Sequence, residues 1–177
     1  MIGPLGLCLA VPVALAVVCV LQPGARASRW LALLGSLFTL AVGGIALASF
    51  VRHPGADFRW VETHAWSEWL GASLTFGVDG IGAAMLALSG LVTLLATLAT
   101  RADQDRPRLY HAMVLLLLAA MNGVFTTLDL LVFYVCWEAV LLPMLPLIGL
   151  FGGEQRRYAA LKFFVYTLRS EEHTSEL

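Results

Sequence analysis

Long apolar runs separated by short polar breaks dominate the chain. A membrane-crossing helix needs about 20 apolar residues. The first run covers about residues 2–21, the second about 30–50 and the third about 78–100. "QPGARASR" separates the first two as a polar turn, and "RADQDRPR" follows the third as a charged loop. Residues 51–77, between the second and third runs, are polar and read as a long loop. About 42 apolar residues then extend from Tyr110 to Phe151, enough for two spans. Their break is "TTLDLL", which places a tight turn near Leu128–Asp129. After the loop "GGEQRRY", a sixth apolar run begins near Ala159 and stops at Leu168, too short to cross. The pattern predicts an all-α, polytopic transmembrane bundle of five full spans and a truncated sixth.

Composition supports this class. The chain is 59% hydrophobic and 13% charged, against about 45–50% and about 25% for soluble domains. Eleven basic against twelve acidic residues give no basic surplus for nucleic acid. Cys8, Cys19 and Cys136 all fall in apolar runs, without the spacing of a zinc site or redox pair; they read as packing residues. The N-terminal run carries an Ala-x-Ala-like site at Ala25-Arg26-Ala27, but no Lys or Arg precedes it and it is long for a signal peptide. It reads as a retained first helix.

Positive charge in short loops marks the cytoplasmic side. With five alternating spans, one side collects Arg26, Arg29, Arg101, Arg106, Arg108, Arg156 and Arg157, and the other only Arg52 and Arg59. The N-terminus is therefore expected outside. In the outer loop, Trp66, Trp69 and Leu70 stand at i, i+3, i+4, and with Trp60 they read as an interfacial aromatic anchor on a helical turn. His53 and His64 share that loop without organised carboxylates, so no metal site is expected. The last residues, "RSEEHTSEL" (169–177), interrupt an apolar run with three Glu, an Arg and a His. They resemble the translation of a sequencing adapter, and the expectation is that they are not native.

Four ionisable groups lie in or beside the apolar runs: Asp79, Asp129, Glu138 and Lys162. Asp79 and Asp129 precede helices, where a carboxylate is favoured by free N–H groups and the dipole; capping is the leading account, with a proton-path role as the alternative. Glu138 is deeper, about eight residues into its span. A charge near the bilayer centre costs about 2.5–3.5 kcal/mol on insertion scales, so a function is expected to repay it. A carboxyl buried alone favours its neutral form, and one beside a cation ionises. Lys162, the only lysine, is the obvious cation; snorkelling to headgroups is its other reading. Pro143 and Pro146 lack N–H groups and free the carbonyls of Ala139 and Leu142. That gives a water a place to bind beside the acid, although a packing kink would use the same prolines.

The run "FYVCWEAVLLPMLPLIGLFGGEQRRYAALKFFVYT", residues 133–167, resembles subunit M of bacterial NADH-quinone oxidoreductase, respiratory complex I. "FGVDGIGAAMLALSGLVTLLA" and "GVFTTLDLLVFY" resemble that family's third helix and its passage into the fifth. The resemblance implies an antiporter-like membrane-arm subunit that moves protons while NADH is oxidised and quinone reduced in other subunits. It implies Glu138 as the essential carboxylate and Lys162 as a supporting charge. It implies no flavin, iron–sulfur cluster, metal or other cofactor in this chain, and other membrane-arm subunits, lipid and protons as partners. The family's partner lysine on a seventh helix has no counterpart here, and of its two inverted five-helix repeats only the opening of the first is expected. The expected organisation is residues 1–50 as two helices, 51–77 as an outer loop, 78–168 as the start of the proton-translocating domain and 169–177 as the tail. A cation/proton antiporter or membrane-hydrogenase subunit shares the glutamate, and a small structural membrane protein is the reading from another class.

Overall fold

A computed structural model describes residues 3–21, 24–53, 55, 57–67, 72–100 and 105–174, the side chains of 64–67, 72 and 168–174 excepted. Six helices and one hairpin follow in the order α1 (Pro4–Leu21), α2 (Ala25–Arg52), β1 (Arg59–Ser67), β2 (Ala72–Val78), α3 (Gly80–Ala99), α4 (Pro107–Thr126), α5 (Leu130–Phe151) and α6 (Arg156–Thr174). The first five helices are each long and apolar enough to cross a membrane. Their outward faces carry large apolar side chains such as Leu34, Val92, Leu130 and Leu142, as a lipid-embedded bundle requires.

Small residues set the closest helix contact. A Cβ on Gly43 of α2 would stand 2.5 Å from the Ala87 nitrogen of α3, and one on Gly90 of α3 would stand 2.5 Å from the Leu40 nitrogen of α2. The two backbones touch at both points, a spacing only glycine permits. Polar groups also tie the helices together inside the bundle. Asn122 of α4 is fully buried. Its amide donates to the Cys8 carbonyl at 2.9 Å and to Thr39 Oγ1 at 3.2 Å, and its oxygen lies 3.0 Å from Ser89 Oγ. One side chain thus joins α1, α2, α3 and α4.

Residues 51–77 are not the plain loop expected from their polarity. β1 and β2 pair antiparallel, from Arg59 opposite Val78 to Ser67 opposite Ala72. Trp66 lies on strand β1, so the helical spacing expected for Trp66, Trp69 and Leu70 is not realised there; Trp69 and Leu70 fall outside the described residues. The register shifts between Arg59 and Glu62, and Trp60 in that shift has φ 55°. A left-handed non-glycine residue costs roughly 1–2 kcal/mol. What the bulge achieves is geometric. Residues three apart on a regular strand face opposite sides, and one inserted residue brings them to the same side.

Arg59 and Glu62 use that common side to cap two helices. Glu62 accepts from the free N–H groups of Leu5 (2.9 Å) and Gly6 (3.2 Å) at the start of α1. Arg59 donates to the Ser49 carbonyl at 2.6 Å and to the His53 carbonyl at the end of α2, with its guanidinium 4.2 Å from the Phe50 ring centroid. Each charge has the sign that the helix dipole favours. The far edge of β2 reaches the α4–α5 turn, where the Leu128 N–H donates to the Thr75 carbonyl at 2.8 Å. The opposite end of the bundle carries most of the arginines. There Arg29 donates to the Leu98 carbonyl of α3 (2.9 Å) and Arg156 to the Leu150 carbonyl of α5 (2.8 Å).

Two other boundaries depart from the hydropathy pattern. α2 begins at Ala25, so the turn before it is shorter than "QPGARASR" suggests. α6 begins at Arg156 and its backbone stays helical to Thr174, beyond Leu168 where the apolar run stops.

Candidate functional site

The carboxylates divide by depth. Asp79 is the N-cap of α3, its Oδ1 accepting from Gly82 N at 2.6 Å. Asp129 is the N-cap of α5, its Oδ1 accepting from Leu131 N at 2.9 Å and Val132 N at 3.1 Å. Both satisfy donors that a helix start leaves free. The turn between α4 and α5 falls at Thr127–Asp129, where "TTLDLL" placed it.

Glu138 lies eight residues beyond the start of α5, about 12 Å down a helix about 33 Å long. Its Oε1 is buried and has no hydrogen-bond partner. Below it α5 continues as unbroken helix through Pro143 and Pro146. Those prolines remove the donors for the Ala139 and Leu142 carbonyls. Ala139, Leu142 and Pro143 line a groove of about 210 Å³ against α1 and α4. Cys136, two residues before the glutamate, lines it as well, so the groove passes the level of Glu138 and opens beside the weakened helical turns.

Lys162 does not meet Glu138. Gly149 faces Ala160 and Gly152 faces Arg156, an antiparallel register that sets Lys162 level with Leu147. The glutamate is nine residues further along α5, about 13 Å away along the axis. Lys162 is exposed and sits between two rings of its own helix, 5.6 Å from the Tyr158 centroid and 5.7 Å from the Tyr166 centroid. Ring faces attract a cation at such distances. The two charges are therefore held apart at different levels of the α5–α6 pair.

The cysteines are free and buried. Among the described residues no three His, Cys, Asp or Glu side chains converge as metal ligands. Two polar groups inside the spans escaped a reading that weighed formal charge alone. Asn122 ties four helices together. His111 of α4 is 2% exposed, with Nδ1 3.3 Å from Ser28 Oγ and Nε2 without a partner. Their signal in the sequence was polarity within an apolar run.

Residues 127–172 match the family model described as NADH:quinone oxidoreductase/Mrp antiporter, transmembrane. That stretch contains Asp129, Glu138, Pro143, Pro146 and Lys162 together. The NAD(P)H-quinone oxidoreductase chain 4 3 of a Picosynechococcus strain is 39% identical over 139 residues, 78% of this chain and 25% of that protein. A chain 4 1 protein from a Nostoc strain is 34% identical over 154 residues, 87% of this chain and 29% of that one. A chain in the structure of respiratory complex I from Thermus thermophilus with bound NADH superimposes with a TM-score of 0.73 at 29% identity, covering 92% of this chain and 32% of that chain. The chain thus spans about a quarter to a third of the length of these relatives.

Proposed function

Because the chain belongs to the antiporter-like membrane subunits of the NADH:quinone oxidoreductase type, we propose that it is part of a subunit that moves protons across the membrane while NAD(P)H is oxidised and quinone reduced elsewhere in the complex. The observation that carries this reading is Glu138: an intramembrane carboxyl with a buried oxygen left unpartnered, inside the matched stretch and next to a proline-weakened helix. Stable folds rarely leave such an atom unsatisfied, and intramembrane acids default to function.

In this reading Lys162 is a supporting charge, held by Tyr158 and Tyr166 at its own level and not in a fixed pair with the acid. Asp79 and Asp129 finish helices. Flavin, iron–sulfur clusters, NAD(P)H and quinone belong to other subunits, and the outward apolar faces meet lipid and those subunits. The arginine-rich end lies in the cytoplasm of a bacterial cell and the hairpin end outside, by the excess of arginine in the connections. The named relatives favour the oxidoreductase over the antiporter branch of the same family, since both are chain 4 proteins of NAD(P)H-quinone oxidoreductase.

The test is Glu138→Gln in the full-length subunit, assembled in its complex in sealed vesicles. Proton translocation driven by NADH should fall at least about tenfold with the complex still assembled. Translocation at the wild-type rate would remove Glu138 from the path.

A further inference from the structure

The proposed function leaves the seam between α1 and α4 unassigned, and that seam carries two recesses of opposite character. At the arginine-rich end, Val20 of α1 and residues 105–109 at the start of α4 surround a cavity of about 410 Å³. Its charged lining is Asp105, Arg106 and Arg108, all exposed, a surplus of one positive charge. Deeper in the bundle lies the groove of about 210 Å³ between α1, α4 and α5, lined by aliphatic side chains, Pro143 and the Cys136 thiol.

The two recesses belong to one face. Val20 and Leu109 line the cavity, and Val13 and Leu116 line the groove, each seven residues further along its helix. Seven residues are close to two full turns, so α1 presents both recesses from one side, and so does α4. Leu9 and Ala120 continue the two series into the groove. The pairing of Val20 with Leu109, Val13 with Leu116 and Leu9 with Ala120 keeps one antiparallel register. The same register brings the Asn122 amide to the Cys8 carbonyl and Gly123 to Leu9. Between the recesses the face continues through Val17, 54% exposed, and Met113, partly buried, with no polar side chain in either series.

The depth matches one leaflet. Val20 and Leu9 are eleven residues apart, about 16 Å along the axis. Half of a hydrocarbon core about 30 Å thick is about 15 Å. The seam thus has arginines at headgroup level and an apolar recess at the depth where acyl chains end. An apolar recess stays dry and takes apolar guests. Basic pockets between spans hold anionic lipid head groups, and guanidinium groups match phosphate oxygens. A helix from another protein, about 10–12 Å across, lies over such a groove and leaves the arginines unmatched; a single acyl chain enters it.

We propose that this seam binds one anionic glycerophospholipid from the leaflet at the arginine-rich end. Its phosphate sits at Arg106 and Arg108, and one acyl chain follows α1 and α4 into the groove. Asp105 repels a second phosphate and accepts from a headgroup hydroxyl, which suits phosphatidylglycerol. The role of Glu138 does not enter this inference.

The test uses the full-length subunit in its purified complex, reconstituted in phosphatidylcholine vesicles with a trace of phosphatidylglycerol carrying a photoreactive diazirine at one chain end. After illumination the modified peptides are mapped. Labelling is expected in residues 9–13, 116–120 and 139–143, above that on the outward faces around Leu34 and Val92. Unlabelled phosphatidylglycerol should compete about tenfold better than phosphatidylcholine, and inorganic phosphate should not compete. Arg106→Gln combined with Arg108→Gln should remove that preference with the complex assembled. Equal competition by the two lipids, or labelling no stronger than on the other apolar faces, overturns the proposal. Labelling confined to another subunit overturns it as well, because a protein helix then covers the seam. Val13→Trp fills the groove from α1 and leaves the arginines in place, so it decides the matter if the double variant does not assemble. It should abolish labelling at 116–120 and 139–143, and unchanged labelling there overturns the proposal.

Discussion

The hairpin end and the middle of α5 treat charge in opposite ways. At the hairpin end, Glu62 and Arg59 close the start of α1 and the end of α2, and Asp79 and Asp129 close the starts of α3 and α5. Each charge meets a backbone terminus of the matching dipole sign. In the middle of α5, Glu138 keeps an oxygen with no partner, and the only lysine stands about 13 Å away along the axis. The first group of charges is consumed in making the fold. The second is left available, at a cost the fold does not recover. An ionisable residue in a membrane protein is thus informative when its hydrogen bonds are left incomplete, more than by its presence alone.

The strongest way to break this contrast is to show that a hairpin charge is dispensable. Glu62→Ala leaves the Leu5 and Gly6 N–H groups open and removes the negative charge at the start of α1. Hydrogen bonds to charged groups contribute about 1.5–3 kcal/mol, and partial exposure of this pair reduces that. A loss of about 2 kcal/mol is expected, read as a lower thermal midpoint of the chain in detergent. An unchanged midpoint would mean that the hairpin does not hold α1.

Smaller effects are expected at the two helix caps. Asp79→Ala and Asp129→Ala should each cost about 1 kcal/mol, with Asp129 the larger because its oxygen serves two N–H groups and that of Asp79 one. Asn at either position keeps an accepting oxygen and should recover most of the loss. In the assembled complex Asp79→Asn and Asp129→Asn should also pump normally. A pumping defect in either would move that residue from the first group to the second.

The sequence made the spans legible because a bilayer demands about 20 apolar residues wherever a helix crosses. It made Asp79 and Asp129 legible because a cap acts on its own neighbours in the chain. The hairpin was hidden: "RWVETHAWS" mixes strand and helix spacings, and its partner strand is recognised only when paired. The job of Glu62 was hidden for a deeper reason. Its partners are backbone N–H groups 56 and 57 residues away, and a backbone donor leaves no mark on residue type. Asn122 and His111 were in view as polar letters in an apolar run, but a search for formal charge passes over both. The separation of Glu138 from Lys162 depends on the register of α5 against α6, which Gly149 and Ala160 set by contact and which neither segment encodes alone.

The smallest expected effect sharpens the contrast most. Glu138→Gln alters a carboxyl that makes no bond at Oε1, so it should change the stability of the chain by no more than about 0.5 kcal/mol, in either direction. Glu62→Gln, the same chemical change 76 positions earlier, weakens two bonds to helix N–H groups and should be measurably destabilising. Measured side by side in one detergent, the pair cancels every effect common to Glu→Gln. If Glu138→Gln proves the more destabilising, the carboxyl has a structural partner in the native state and the case for a mobile proton there is lost. If it is neutral for folding and yet stops proton translocation in the assembled complex, the two regions differ in kind: one uses its charges at helix ends, the other keeps a carboxyl unpaired for transport.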